Sequence, residues 1–183
     1  GSGKTSLVNI ICGIYNNYKG KILINGNDLK KCSNEWKKKI SYIPQNPFLI
    51  DESLKNNIIF DNKSIDNNLF RYALNSSKLN NLIKQNKAGI NLMVGDKGSK
   101  ISGGQRQRLL IARSLYHNRE IIVFDESTSA LDEKIEKQVF NDIKKLKGRF
   151  TAIFITHNKN ILKFCNKVYE LKNKKINEIK FKK

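Results

Sequence analysis

Cysteine is too sparse in this chain to build with. The three residues, Cys12, Cys32 and Cys165, are odd in number, far apart and without metal-ligand partners at a workable spacing. That excludes a disulfide framework and a zinc site, and it points to a reducing compartment. Proline occurs only twice, and with 11 glycines and 39% hydrophobic residues this scarcity argues for a folded α/β chain and against a disordered one. No apolar run is long enough to cross a bilayer. The strongest, Ile121 to Phe124 and Ala152 to Ile155, have the length of buried strands. No signal-peptide pattern, internal repeat or interdomain linker is visible, so the 183 residues read as one domain with a core of its own.

Acidic residues are the other deficit: 16 Asp and Glu stand against 35 Lys and Arg, a formal charge of +19. Such a balance suits a nucleic acid or an anionic membrane surface as partner. The lysines, however, are scattered among asparagines and isoleucines, the mix expected of an AT-rich genome. No basic stripe interleaved with aromatics is present, so a dedicated nucleic-acid surface is disfavoured.

What the chain does have is phosphate chemistry. Gly1, Ser2, Gly3, Lys4, Thr5 and Ser6 read as the back half of a phosphate-binding loop, whose full pattern is G-x-x-x-x-G-K-[ST]. The opening glycine and a preceding strand are expected upstream of residue 1, as in a truncated reading frame. Leu7, Val8, Ile10, Ile11 and Ile14 follow at helical spacing, so a helix over Lys4 to Ile14 grows out of the loop with its N-terminal dipole towards the phosphates. Residues 101 to 108, Ile-Ser-Gly-Gly-Gln-Arg-Gln-Arg, form a second anion site. Ser102, Gly103, Gly104 and Gln105 present bare N–H groups and a hydroxyl at the start of an apolar-periodic helix. Taken alone, Ser-Gly-Gly also suits an ordinary helix cap.

Between and after these stretches, strands deliver polar groups. Lys21 to Ile24 with Asn25-Gly26 predicts a strand and tight turn, and Ile40 to Ile43 a short buried strand after a packing tryptophan, Trp36. Gln45 follows in Tyr-Ile-Pro-Gln-Asn-Pro, an extended loop fixed by two prolines. Residues 53 to about 100 predict several helices, with residues 61 to 68 as a loop. Ile121 to Glu126 is an apolar strand ending in two carboxylates, Asp125 and Glu126, which is how a parallel strand brings acids to the C-terminal edge of a sheet. Asp125 suits a magnesium ligand and Glu126 a general base. Ala152 to Ile155 brings His157 to the same edge, Asp132 suits a helix cap, and residues after 166 predict terminal strands with a lysine-rich tail.

Six motifs in this order and spacing resemble the ATP-binding cassette family, specifically the nucleotide-binding domain of membrane transporters, over nearly the whole chain. The resemblance implies an α/β fold: a mostly parallel sheet of the P-loop NTPase type flanked by helices, a small β region near the N-terminus, and an inserted helical subdomain at about 53–117 within a single ATPase domain at 1–183. It implies ATP and Mg2+ as cofactors, with Thr5, Gln45 and Asp125 about the metal and Glu126, His157 and Gln45 at the reaction. Ser129, Ala130, Leu131 and Asp132 match the D-loop of the dimer interface. Val94-Gly-Asp96-Lys-Gly resembles an exporter loop facing the transmembrane partner, with Met93 where an acid often stands.

The implied function is ATP hydrolysis driving export or flipping, on the cytoplasmic face of the inner or plasma membrane. The partners are a transmembrane domain and a second cassette, as homodimer or heterodimer. Finer likeness in Phe48-Leu-Ile-Asp-Glu-Ser-Leu and around Asp125 is to bacterial exporters, including lipid-linked oligosaccharide flippases. The alternative is a soluble cassette ATPase acting on nucleic acid or ribosomes. Against it, DNA-repair members carry a long coiled coil where Gln45 and Ser102 are only 57 positions apart, and translation factors carry two cassettes. A cassette that does not hydrolyse is disfavoured by the presence of both Asp125 and Glu126.

Overall fold

The computed structural model describes residues 3–46, 48–60, 64–126 and 133–180. Its centre is a parallel three-stranded sheet in the order β3-β4-β5, built from the apolar runs Ile40–Ile43, Ile121–Asp125 and Thr151–Ile155. Ile43 lies opposite Phe124, and Phe124 opposite Phe154. Both faces of β4 are covered, which is why it reads as an unbroken hydrophobic run. Ile122 and Phe124 point into the larger core, while Val123, one residue out of phase, packs in a second cluster with Val8, Cys12, Ile40 and Ile155. Helices on the two faces of a parallel sheet bear out the α/β architecture.

On the second-cluster face, α1 (Lys4–Ile11) is a turn shorter than its apolar spacing predicts. Gly13 adopts φ 71, and the amides of Ile14 and Tyr15 both donate back to the Asn9 carbonyl, so the chain leaves the helix with Ile14 largely exposed. The indole of Trp36, in α2 (Leu29–Lys39), donates to the Ile11 carbonyl at 2.6 Å and closes that end. A two-residue hairpin joins β1 (Leu23–Ile24) to β2 (Asn27–Asp28), with Asn25 and Gly26 both at positive φ as its turn demands. At the other end of the chain β6 (Val168–Lys172) and β7 (Lys175–Ile179) form an antiparallel pair.

The crossover from β3 to β4 is a block of helices: α3 (Leu54–Ile59), α4 (Asn67–Ser76), α5 (Asn80–Gln85), two short 3-10 turns and α6 (Gly103–Tyr116). Residues 61–63 of the expected loop lie outside the described residues, and the helix begins at Asn67 because the Asp66 carboxylate caps the amides of Asn68 and Leu69. The crossover from β4 to β5 runs through α7 (Glu133–Lys145). Arg108 on α6 and Asp142 on α7 form an ion pair at 2.8 Å, with both side chains less than one-fifth exposed. β5 is an edge strand among the described residues, and beside it lies an apolar cavity of about 780 Å³ walled by Leu7, Ile11, Ile153, Val168 and Leu171.

Candidate nucleotide site

Parallel strands all end at one edge, and of the groups singled out in the sequence Lys4, Asp125, Glu126 and His157 lie there. α1 starts at that edge with Gly3 in the left-handed region (φ 84, ψ 12), a conformation glycine adopts without a Cβ penalty. Lys4 opens the helix, and its Nζ lies 3.1 Å from His157 Nε2. The same Nε2 lies 3.3 Å from Glu126 Oε1. A cation, an imidazole and a carboxylate therefore meet within hydrogen-bonding reach. The imidazole nitrogen can accept from Lys4 when its proton is on Nδ1, or donate to Glu126 when it carries the proton itself.

Glu126 is held there at a backbone cost. Its φ of 46 lies in the left-handed region that side-chain-bearing residues seldom adopt, and its amide donates to the Ile155 carbonyl at 3.0 Å. β5 thus fixes the residue that β4 delivers. The neighbouring carboxylate, Asp125, is 5% exposed and accepts a hydrogen bond from the Tyr42 hydroxyl at 2.7 Å. Burial first, then the hydrogen bond to Asp125 and its charge, push the Tyr42 phenol well above its usual value and keep it a donor. The Cys12 thiol nearby is pushed up to about 11 by burial and then by the charge of Asp125, so it stays protonated and inert.

Thr5 is exposed in the first turn of α1, and Gln45 is exposed just beyond β3. With Asp125, these offer hydroxyl, amide and carboxylate oxygens, the donor set of a hard divalent cation. Among the described residues no three His, Cys, Asp or Glu side chains are grouped to hold a metal.

Ser102 to Gln105 form a helix start of the expected kind. The Ser102 hydroxyl accepts from the Gln105 amide at 3.3 Å, and Gln105 Oε1 accepts from the Ser102 amide at 2.8 Å, a reciprocal capping box on α6. The cap uses acceptor capacity of the hydroxyl and leaves its proton to donate, so cap and anion contact are compatible. Gly104 is buried against α7: a Cβ there would come within 2.5 Å of Ile135 Cγ2. Ser102 and Gln105 bond each other in this cap, while Lys4, His157 and Glu126 meet at the strand edge. Gly1, Ser2, Ser129, Ala130, Leu131 and Asp132 lie outside the described residues. Ser6 is exposed in α1.

Sequence reading missed Tyr42 and Arg113. The guanidinium of Arg113, brought down to about 10 by burial, donates to the carbonyls of Asn57 and Phe48 and to Asn57 Oδ1. Asn57, itself fully buried, also bonds Ile50, Glu52 and Ser53. Together they pin the segment after Gln45 onto α6. A single arginine among the 35 basic residues carries no sequence signal for this task.

The family description "ABC transporter" matches residues 1–129 of the chain. The chain belongs to the ABC transporter family. It is 35% identical over 180 residues to an ATP-dependent lipid A-core flippase of Francisella novicida, covering 97% of the chain and 30% of the flippase. It is 34% identical over 180 residues to the alpha-hemolysin translocation ATP-binding protein HlyB of Escherichia coli, covering 97% of the chain and 25% of HlyB. Among solved structures it resembles a bacterial Atm1-family ABC exporter with ATP bound, at a TM-score of 0.83 and 26% identity, over 94% of the chain and 30% of the exporter. The chain thus spans less than a third of the length of these ABC relatives. It is an ABC transporter ATPase domain, and such a domain binds ATP.

Proposed function

We propose that this chain hydrolyses ATP as the motor of an exporter or flippase, with each ATP held between the phosphate loop of one copy and α6 of another. The observation that carries this reading is the meeting of Lys4, His157 and Glu126 at the edge where α1 begins. Phosphoryl transfer to water needs charge neutralisation and positioning more than covalent chemistry, and these groups supply both. Lys4 and the first amides of α1 hold the β- and γ-phosphates. Glu126 takes a proton as water attacks the γ-phosphorus, and the bond to the bridging oxygen breaks to leave ADP. His157 contacts the γ-phosphate and registers its loss. Thr5 and Asp125, together with Gln45, would hold Mg2+, which would supply positive charge to offset the charge building up on the phosphate oxygens.

From the second copy, the Ser102 hydroxyl and the N-terminal amides of α6 (Gly103, Gly104, Gln105) complete the phosphate shell. Ser129 to Asp132 serve the interface between the two. Residues 1–183 act as one ATPase domain with a helical subdomain at about 53–117, and its contact with the transmembrane domain includes the segment after Gln45. Phe48 at 66% and Met93 at 42% exposure give that surface apolar anchors. This arrangement sits on the cytoplasmic face of the membrane.

The test uses the composite site. In the intact protein, Lys4→Ala and Ser102→Arg each spoil both sites of a homodimer, but a mixed dimer carries both lesions in one site and none in the other. Phosphate release from tagged, purified mixed dimers should exceed that of either parent, and a Ser102→Arg homodimer turning over at the wild-type rate refutes the arrangement.

A further inference from the structure

We propose that Tyr42 is a positioning residue for Asp125: its phenol occupies Oδ2 of the carboxylate and so leaves Oδ1 as the oxygen offered to the cation. The inference rests on the reading of Asp125 as a metal ligand. Tyr42 lies opposite Val123 in the β3–β4 register, so Tyr42, Val123 and Asp125 share one face of the sheet. The ring packs with the cluster of Val8, Cys12, Val123 and Ile155, which fixes its direction and brings the hydroxyl out at the strand end. There the hydroxyl donates to Asp125 at 2.7 Å, the length of a charge-assisted O–H···O bond.

Phenylalanine would fill the same apolar space, so packing alone does not require the hydroxyl. Water is a poor substitute for it, because Asp125 is only 5% exposed. A carboxylate so enclosed, with one oxygen anchored by a rigid ring, has lost the rotation that would let it turn from an incoming cation. Such outer-sphere hydrogen bonds orient metal ligands, and removing one weakens metal binding by about 10- to 100-fold.

The experiment measures Mn2+ affinity by electron paramagnetic resonance on the intact protein loaded with a non-hydrolysable ATP analogue, and analogue affinity separately in EDTA. Tyr42→Phe should weaken Mn2+ binding by about tenfold or more and leave metal-free analogue affinity within about twofold, a split that a purely structural role would not produce. Asp125→Asn should weaken Mn2+ at least as much. If Asp125→Asn loses Mn2+ but Tyr42→Phe does not, the proposal for Tyr42 is overturned and the role of Asp125 stands. If neither loses it, both are overturned. Should Tyr42→Phe not fold, 3-fluorotyrosine at position 42 provides the second arm. Its 19F resonance should move when Mg2+ is added to the analogue-loaded protein and stay put in Asp125→Asn, and a resonance indifferent to Mg2+ in the otherwise wild-type protein overturns the proposal.

Discussion

Replacing Gly104 by alanine adds one methyl group, and the structure says where it goes. The new Cβ would stand 2.5 Å from Ile135 Cγ2, well inside van der Waals contact, with Ile135 Cβ at 3.9 Å behind it. Ile135 cannot swing aside cheaply, because a β-branched side chain in a helix has one strongly preferred χ1. The strain is therefore relieved by α6 and α7 moving apart, at the 1–3 kcal/mol typical of overpacking, less the roughly 0.5–1 kcal/mol that alanine gains over glycine in a helix. The difference spans about 0–2.5 kcal/mol, and a net loss of about 1–2 kcal/mol within it is expected because the β-branched Ile135 gives so little. In hydrogen exchange on the intact protein, that corresponds to amides of α6 and α7 opening roughly 5- to 30-fold more often. ATPase activity should fall as well, since the turn that moves carries the proposed phosphate contacts. Ile135→Ala removes the obstructing methyl, so the double variant should lose less than the sum of the single losses, by about 1 kcal/mol or more. Strict additivity, or exchange in Gly104→Ala at the wild-type rate, refutes the close-packing account of this glycine.

Glu126→Gln should leave ATP affinity intact and slow hydrolysis by roughly 100-fold or more, with the ATP-bound dimer accumulating in size-exclusion chromatography. Turnover within a few-fold of wild type would pass the base role to His157. His117 gives a pH prediction: burial and then the charge of Arg119 depress its pKa, with Arg113 adding to the effect and hydrogen bonds to the Ile59 and Ile58 carbonyls opposing it. The native state thus binds fewer protons than the unfolded one. Stability from this residue is complete above the ordinary histidine value of about 6.5 and drains away as pH falls through the depressed one. Melting of the intact protein between about pH 7.5 and 5 should decline less steeply in His117→Gln, and parallel curves would contradict this.

The proposed phosphate-binding groups were legible in the sequence because their chemistry is local. A helix N-terminus offers its amides to whatever follows a glycine turn, so Gly3-Lys4-Thr5 and Ser102-Gly103-Gly104 announce themselves by neighbours in the chain. Buried parallel strands likewise show as continuous apolar runs, and the polar residue ending each run marks the sheet edge: Asp125 at the end of β4 and His157 just beyond β5. Helix ends were less legible. The apolar spacing of α1 continues to Ile14, but Gly13 turns the backbone out of the helix first.

What only the folded chain decided is which of these groups meet. Lys4 and His157 are 153 positions apart, and Tyr42 and Asp125 are 83 apart, distances over which no periodicity or spacing carries information. Strand register selects Tyr42 over Ser41 or Ile43 as the partner of Asp125, because a shift of one residue would turn its side chain to the other face. The second task of Gly104 was equally hidden. In sequence it is a proposed amide for a phosphate, and only the approach of Ile135 on α7 makes its lack of a Cβ matter to how the two helices pack. Local chemistry is written in adjacent residues, whereas contact between distant ones is fixed by how sheet and helices close around a shared core.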